Sequence, residues 1–272
     1  MQPHNTSPKA IVGALMRNRE LLWQLSKREF FGRYKGSIMG VAWSFFHPVL
    51  MLVIYTLVFS VVFKAKWGIG GDNKVTFALV MFSGMILHGL LTDCLNRAPD
   101  LIATHANYVK KIIFPLEILP VVVLLSALLH FMVSFCILVV FSLFSGMSIH
   151  PGIILTPVVL LPLVLFTLGI SWLLASLGVY LRDLSQVIGV VSAMLLFLSP
   201  VFYSLDAVPP EFQNLVLLSP LTLPITQLRD VMFWGKSIGW GSWSLSLAVG
   251  VFTCCFGFWW FQKSRKGFAD VL

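Results

Sequence analysis

Apolar residues run along this chain in six long blocks, 38–63, 75–94, 118–144, 153–180, 184–203 and 238–261, separated by short polar segments. Each block holds about twenty or more mostly apolar residues, enough for an α-helix to cross ~30 Å of hydrocarbon. The pattern predicts an all-α integral membrane protein with six transmembrane helices, a membrane domain over 38–272 preceded by a separate amino-terminal segment, 1–37.

The polar segments carry structure of their own. At ~100° per residue, Leu15, Leu21, Leu22, Trp23 and Leu25 gather on one side, and Arg17, Glu20, Gln24, Lys27 and Arg28 on the other. That describes an amphipathic helix in the headgroup region, with Gly32 and Gly36 marking the turn into the bilayer. The segment 97–114 is short and polar. Pro99-Asp100 reads as a helix start, with Asp100 capping exposed N–H groups. Two turns follow over 101–108 and end near Lys110 and Lys111, a shape suited to docking a partner or simply to connecting two spans. The segment 204–237 carries two short helices, 211–218 and 225–234, re-entrant or lying at the outer interface, with Ser219 as a cap before Pro220.

Within the first block, Phe45, Tyr55, Phe59 and Phe63 fall within about 80° of one another on a helical wheel. Such a stripe serves either helix packing or stacking against a translocated molecule.

Charge orients the chain. Six crossings put both ends on one side, and fourteen of the nineteen Lys and Arg residues lie there. They are Lys9, Arg17, Arg19, Lys27, Arg28, Arg33 and Lys35, then Arg97, Lys110 and Lys111, then Arg182, then Lys263, Arg265 and Lys266. The positive side is cytoplasmic, so both termini are read as cytoplasmic. Arg229 and Lys236 are counted outside with Lys64, Lys66 and Lys74. Hydrophobic residues make up 58% of the chain and charged residues 11%, which leaves no room for a separate soluble domain. The net charge of +8 would suggest nucleic acid in a soluble protein. Here the cations flank spans and read as topology determinants and contacts to anionic membrane lipids. Residues 1–37 lack the apolar core and cleavage site of a signal peptide, so the first span is expected to be retained.

Candidate chemistry is sparse. Cys94, Cys136, Cys254 and Cys255 lie in or at the ends of spans, without metal-ligand spacing, and read as packing residues. Glu117 opens the third span and is expected at the interface, meeting water or Lys111. His47, His88 and His130 are isolated in sequence, which argues against the ionisable relay of a proton-coupled carrier. Gly235-Lys236-Ser237 fails as a phosphate loop because the required first glycine is Asp230. No catalytic residue, metal ligand or cofactor is expected in this chain, and any nucleotide hydrolysis falls to another one.

The string from Arg28-Glu29-Phe30-Phe31-Gly32-Arg33-Tyr34-Lys35-Gly36 to Trp43, followed by Pro48, resembles the segment leading into the first span of bacterial polysaccharide ABC exporter permeases. Tyr108 to Glu117 with Leu119-Pro120, Leu177 to Leu184 running on to Ser199-Pro200, and Ser219-Pro220-Leu221 with Arg229-Asp230 are similar to the same family. These permeases export O-antigen, teichoic acid and related lipid-linked polymers. The resemblance implies a homodimeric channel in the bacterial inner membrane with two ABC ATPase subunits below, which bind ATP and Mg. It implies a channel lined by spans one and five, making Phe45, Tyr55, Phe59, Phe197, Phe202 and Tyr203 the candidate substrate path. It makes 97–114 a coupling loop, with Leu101, Ile102, Ala103, His105, Asn107, Tyr108, Lys110 and Lys111 as the candidate ATPase contacts. Ser219 stands where many relatives have Asn, a conservative change of cap residue. A related permease for a drug, haem or lipid is one alternative, and a secondary carrier is another. The carrier would show inverted repeats with helices broken at midplane, and none is visible.

The charge count predicts that a cytoplasm-active reporter works when fused after Leu272 or inserted near His105, and is silent near Asn73 or Asp206. An outside location for Leu272 would overturn the six-span count.

Overall fold

The computed structural model describes residues 8–58, 74–109 and 114–271, and every regular element among them is helical. In order these are α1 (Pro8–Arg17), α2 (Arg19–Gly32), α3 (Trp43–Tyr55), α4 (Lys74–Arg97), α5 (Leu101–Thr104), α6 (Ala106–Val109), α7 (Leu119–Phe144), α8 (Thr156–Gly178), α9 (Leu184–Leu198), α10 (Pro210–Leu217), α11 (Thr222–Met232), α12 (Trp240–Ser264) and α13 (Phe268–Val271). Five stretches are long and apolar enough to cross a membrane: Gly40–Val58, Val75–Arg97, Leu116–Phe144, Pro151–Gly178 and Trp240–Gly267.

The expected fifth span, 184–203, is shorter than its apolarity suggests. α9 stops at Leu198 after fifteen residues, a length of about 22 Å, short of ~30 Å of hydrocarbon. The cause is local. Ser199 precedes Pro200, whose ring disfavours helical geometry at the residue before it, and Ser199 is extended at φ −96°, ψ 152°. Val201, Phe202 and Tyr203 therefore leave the helix.

At the other end, Gly36 and Gly40 take positive φ values of 87° and 51° and turn the chain from α2 into α3. Gly32 stays helical. α2 buries Leu22, Leu25, Ser26 and Phe30 and packs on α7. Trp23 lies outside that face, exposed, with the Lys27 ammonium 4.9 Å from its ring centre. The two short helices expected in 204–237 are present as α10 and α11. Ser219 does not cap α11, which starts at Thr222 without a side-chain cap; its hydroxyl pairs with Ser199 Oγ at 2.7 Å. Asp100 precedes α5 but caps it with its backbone alone, its carbonyl accepting from Thr104 N.

Packing is uneven. α4 is the central helix: 72% of the residues in its most apolar window are buried, against 6% in the first span. The most extensive pairing joins α8 to α12. It depends on small residues that let the two backbones approach. A Cβ on Gly257 would run into the Gly169 carbonyl, one on Gly169 into the Thr253 carbonyl, and one on Gly250 would sit 2.6 Å from Pro162 O. Gly178, at the end of α8, meets the Pro99 backbone just as closely and so seats the start of the 97–114 loop on α8.

Replacing Gly257 by Val forces α8 and α12 apart, because the obstruction is backbone and cannot rotate away. Destabilisation of about 1–3 kcal/mol or more is expected. It should be visible as a lowered unfolding temperature in detergent, whereas Gly189→Val, in open space, leaves that temperature close to wild type.

Candidate functional site

The first gathering of polar side chains is a cleft of about 450 Å³ between α3, α4 and α7 and the turn after α2. Arg33 Nη2 donates to Asp93 Oδ2 at 2.5 Å. Arg97, one turn beyond Asp93 on α4, donates to Glu29 on α2. Its other terminal nitrogen lies 3.9 Å from Asp93 and has no hydrogen-bond partner among the described residues. The two carboxylates are thus taken up by two guanidinium groups, and the last turn of α4 is tied to the end of α2. Tyr34 Oη and His130 Nδ1 are 3.2 Å apart, and the Phe30 ring lies 4.6 Å from the imidazole. Burial, more than the neighbouring charges, pushes the Tyr34 phenol above its ordinary pKa, so it stays protonated. With Tyr34 donating to Nδ1, the neutral ring carries its proton on Nε2, a buried atom without a partner among the described residues. The histidines that look isolated in sequence line this one cleft together: His47, His88 and His130.

The second gathering centres on Arg229 of α11, which is only 3% exposed. Its Nε donates to Val80 O of α4 at 3.0 Å, with Ser83 Oγ at 3.4 Å. Nη1 donates to Pro200 O at 2.6 Å and Nη2 to Val201 O at 2.9 Å. These carbonyls are freed where α9 breaks, and Gly84 leaves the room, since a Cβ there would sit 2.8 Å from Nη2. The charge count places Arg229 among the outer cations; the structure makes it an internal clamp. Nothing in its immediate sequence marks that role, since its partners lie up to 149 residues away.

The third is the 97–114 loop. α5 and α6 form where two turns were expected. Leu101 and Ile102 are buried, and α5 packs on α8. Ala103, Thr104 and Asn107 are exposed, and His105 is half-buried with Nδ1 2.9 Å from Leu101 O. Of Tyr108 only the backbone is described, and Lys110 and Lys111 lie outside the described residues. Glu117 meets Arg265, with Oε2 accepting from Nη1 at 2.6 Å. The Arg265 Nη2 group donates to Phe114 O, so α12 holds the far end of the loop.

The candidate path residues divide. Phe197, 70% exposed, and Phe202 have ring centres 6.0 Å apart, and Tyr203 Oη donates to Phe197 O. Tyr55 lines the cleft. Phe45, half exposed, packs edge-on against Phe46 and is not part of the cleft lining. Phe59 and Phe63 lie outside the described residues.

Residues 20–233 match the sequence model of the ABC-2 type transporter family. An O-antigen export system permease protein RfbA of Myxococcus xanthus is 28% identical over 225 residues, covering 82% of this chain and 84% of the relative. Two proteins of that description from Klebsiella pneumoniae are 23% and 24% identical, each covering 93% of this chain and 95% of the relative.

Arg229→Gln cannot reach all four acceptors. Hydrogen bonds to a charged group contribute ~1.5–3 kcal/mol each, so a loss of several kcal/mol is expected as a large drop in unfolding temperature in detergent. Arg182→Gln, at an exposed position, should stay within ~0.5 kcal/mol of wild type.

Proposed function

The chain belongs to the ABC-2 type transporter family, and from that premise we propose that it is the membrane channel subunit of an ATP-driven exporter of a lipid-linked, O-antigen-like polysaccharide. The relatives described as O-antigen export permeases support the substrate class. The observation that carries the channel role is the nearly bare first span. α3 buries only Ser44 and Leu52, leaving an apolar and aromatic surface that its own chain does not cover. A second copy of the chain would cover part of that surface and enclose a path with the rest. Phe197, Phe202 and Tyr203 at the broken end of α9, with Phe45 and Tyr55 of the first span, offer aromatic faces on which the apolar CH faces of sugar rings stack. α10 and α11 would be the re-entrant elements between the fifth and sixth crossings, with α9 completed in membrane depth by the segment that Arg229 clamps. α2 would lie at the inner interface. In this reading the exporter sits in the bacterial inner membrane with both termini in the cytoplasm, an orientation that the cation distribution supports.

The permease itself carries out no bond chemistry. ATP and Mg belong to two separate ATPase subunits, which dock on the 97–114 loop. In this reading Leu101 and Ile102 anchor the docking helix on α8, and Ala103, Thr104, His105 and Asn107 offer the contact surface. Lys110 and Lys111 would flank that surface with positive charge. Movement of the loop then passes directly into α8 at Gly178 and into α12 through Glu117 and Arg265.

The purified chain alone should hydrolyse no ATP. Ala103→Cys or Asn107→Cys, placed in a variant lacking the exposed Cys136, should crosslink in membranes to an ATP-binding protein. Exhaustive crosslinking that captured only lipid or a second copy of the permease would remove the docking assignment.

A further inference from the structure

The cleft between α3, α4 and α7 is graded along its length. Arg33, Tyr34, His47 and His130 gather at the end nearest the last turn of α4, and Met51, Tyr55, Phe82 and Met85 line the other. Asp93 and Phe82 are eleven residues apart on α4, about 16 Å along the helix. That is close to the depth of one leaflet, half of ~30 Å. The polar end is unbalanced in hydrogen bonding. The one carboxylate lining it, Asp93, is already engaged by Arg33, while the other polar side chains at this end, Tyr34, His47 and His130, are donors or can be. A ligand that completes this end brings acceptor oxygens. A ligand that completes the other end brings an apolar chain.

We propose that this cleft holds one phospholipid of the surrounding leaflet, its phosphate oxygens at the Arg33–His47–His130 end and an acyl chain running past Gly89 toward Tyr55 and Phe82. The bound lipid fills the space behind the first span, which the protein leaves poorly packed, and so serves as a wedge that positions α3. The assignment to the inner leaflet rests on the exporter reading; the binding itself does not. Gly89 lines the cleft, and a Cβ there meets nothing within 4 Å, so a larger side chain at this position enters the cleft without displacing backbone.

The test is native mass spectrometry of the full chain in detergent, titrated with phosphatidic acid or with a neutral diacylglycerol of the same chains. Wild type should retain phosphatidic acid about tenfold better than the phosphate-free lipid, and Gly89→Leu should lose about tenfold of that retention, ~1.4 kcal/mol, at an unchanged protein level. His47→Leu should reduce the preference for the phosphate without abolishing chain binding. Equal retention of the two lipids by wild type, or unaltered retention by a well-folded Gly89→Leu, overturns the proposal. If Gly89→Leu does not accumulate, Met51→Trp fills the same space from the exposed α3 and carries the same two outcomes. Lipid recovered from the chain expressed without any polymer synthesis should be bilayer phospholipid. Recovery only of the polymer's lipid anchor, and only when polymer is made, would assign the cleft to substrate instead and overturn the phospholipid. Neither export nor ATP hydrolysis is read, so failure of the exporter reading and failure of this one give separate results.

Discussion

A single guanidinium holds the α9–α11 side of this bundle together. In lipid every backbone polar group needs an internal partner, because no water is available to supply one. The break at Ser199-Pro200 frees carbonyls at the end of α9, and Arg229 satisfies those of Pro200 and Val201 while also reaching α4 at Val80. Burying an unpaired charge is costly, and a guanidinium repays that cost only when its donors are spent in good geometry. The two requirements meet at one point. The arginine makes the broken helix tolerable, and the broken helix makes the buried arginine tolerable. α4, the most buried of the spans, is the surface against which both are held.

A second set of contacts organises the opposite end. Gly169, Gly250 and Gly257 bring α8 and α12 into backbone contact, which converts two apolar helices into one rigid unit. The 97–114 loop is fastened to that unit at both ends, through Gly178 against Pro99 and through Arg265 against Glu117 and Phe114. The loop is thus held by the α8–α12 pair as well as by α4 and α7, which it joins. α2 is tied separately, by Glu29 and Arg33, to Arg97 and Asp93 of α4.

The first span stands apart from both sets. It is joined to the chain by glycine turns at Gly36 and Gly40, touches α4 and α7, and leaves most of its surface uncovered. In the reading proposed above, a lipid in the cleft behind α3, a second subunit on the bare face of α3 and a translocated molecule at the aromatic cluster at the end of α9 would supply the missing contacts.

Local features of this protein were legible in the sequence, and long-range ones were not. Helix positions follow from apolar runs, the turn before α3 from glycine, and the short α5, α6, α10 and α11 from polar punctuation; the apolar run 184–203 hid the stop of α9 at Leu198, which the Ser199-Pro200 pair causes. Charge asymmetry predicts an orientation. The pairing of helices is different, because residues facing lipid and residues facing protein are equally apolar, so hydropathy does not say which face packs on which. The sequence suggests water or Lys111 as the partner of Glu117; in the structure it is Arg265, 148 residues along the chain. Arg229 read as an outer cation and is an internal clamp; three scattered histidines became one cleft. Single residues and their immediate neighbours determine where helices start and stop, since those terms act over a turn or two. Which buried polar groups meet is decided only when the helices close on one another, since only then does each donor have a fixed set of acceptors in reach.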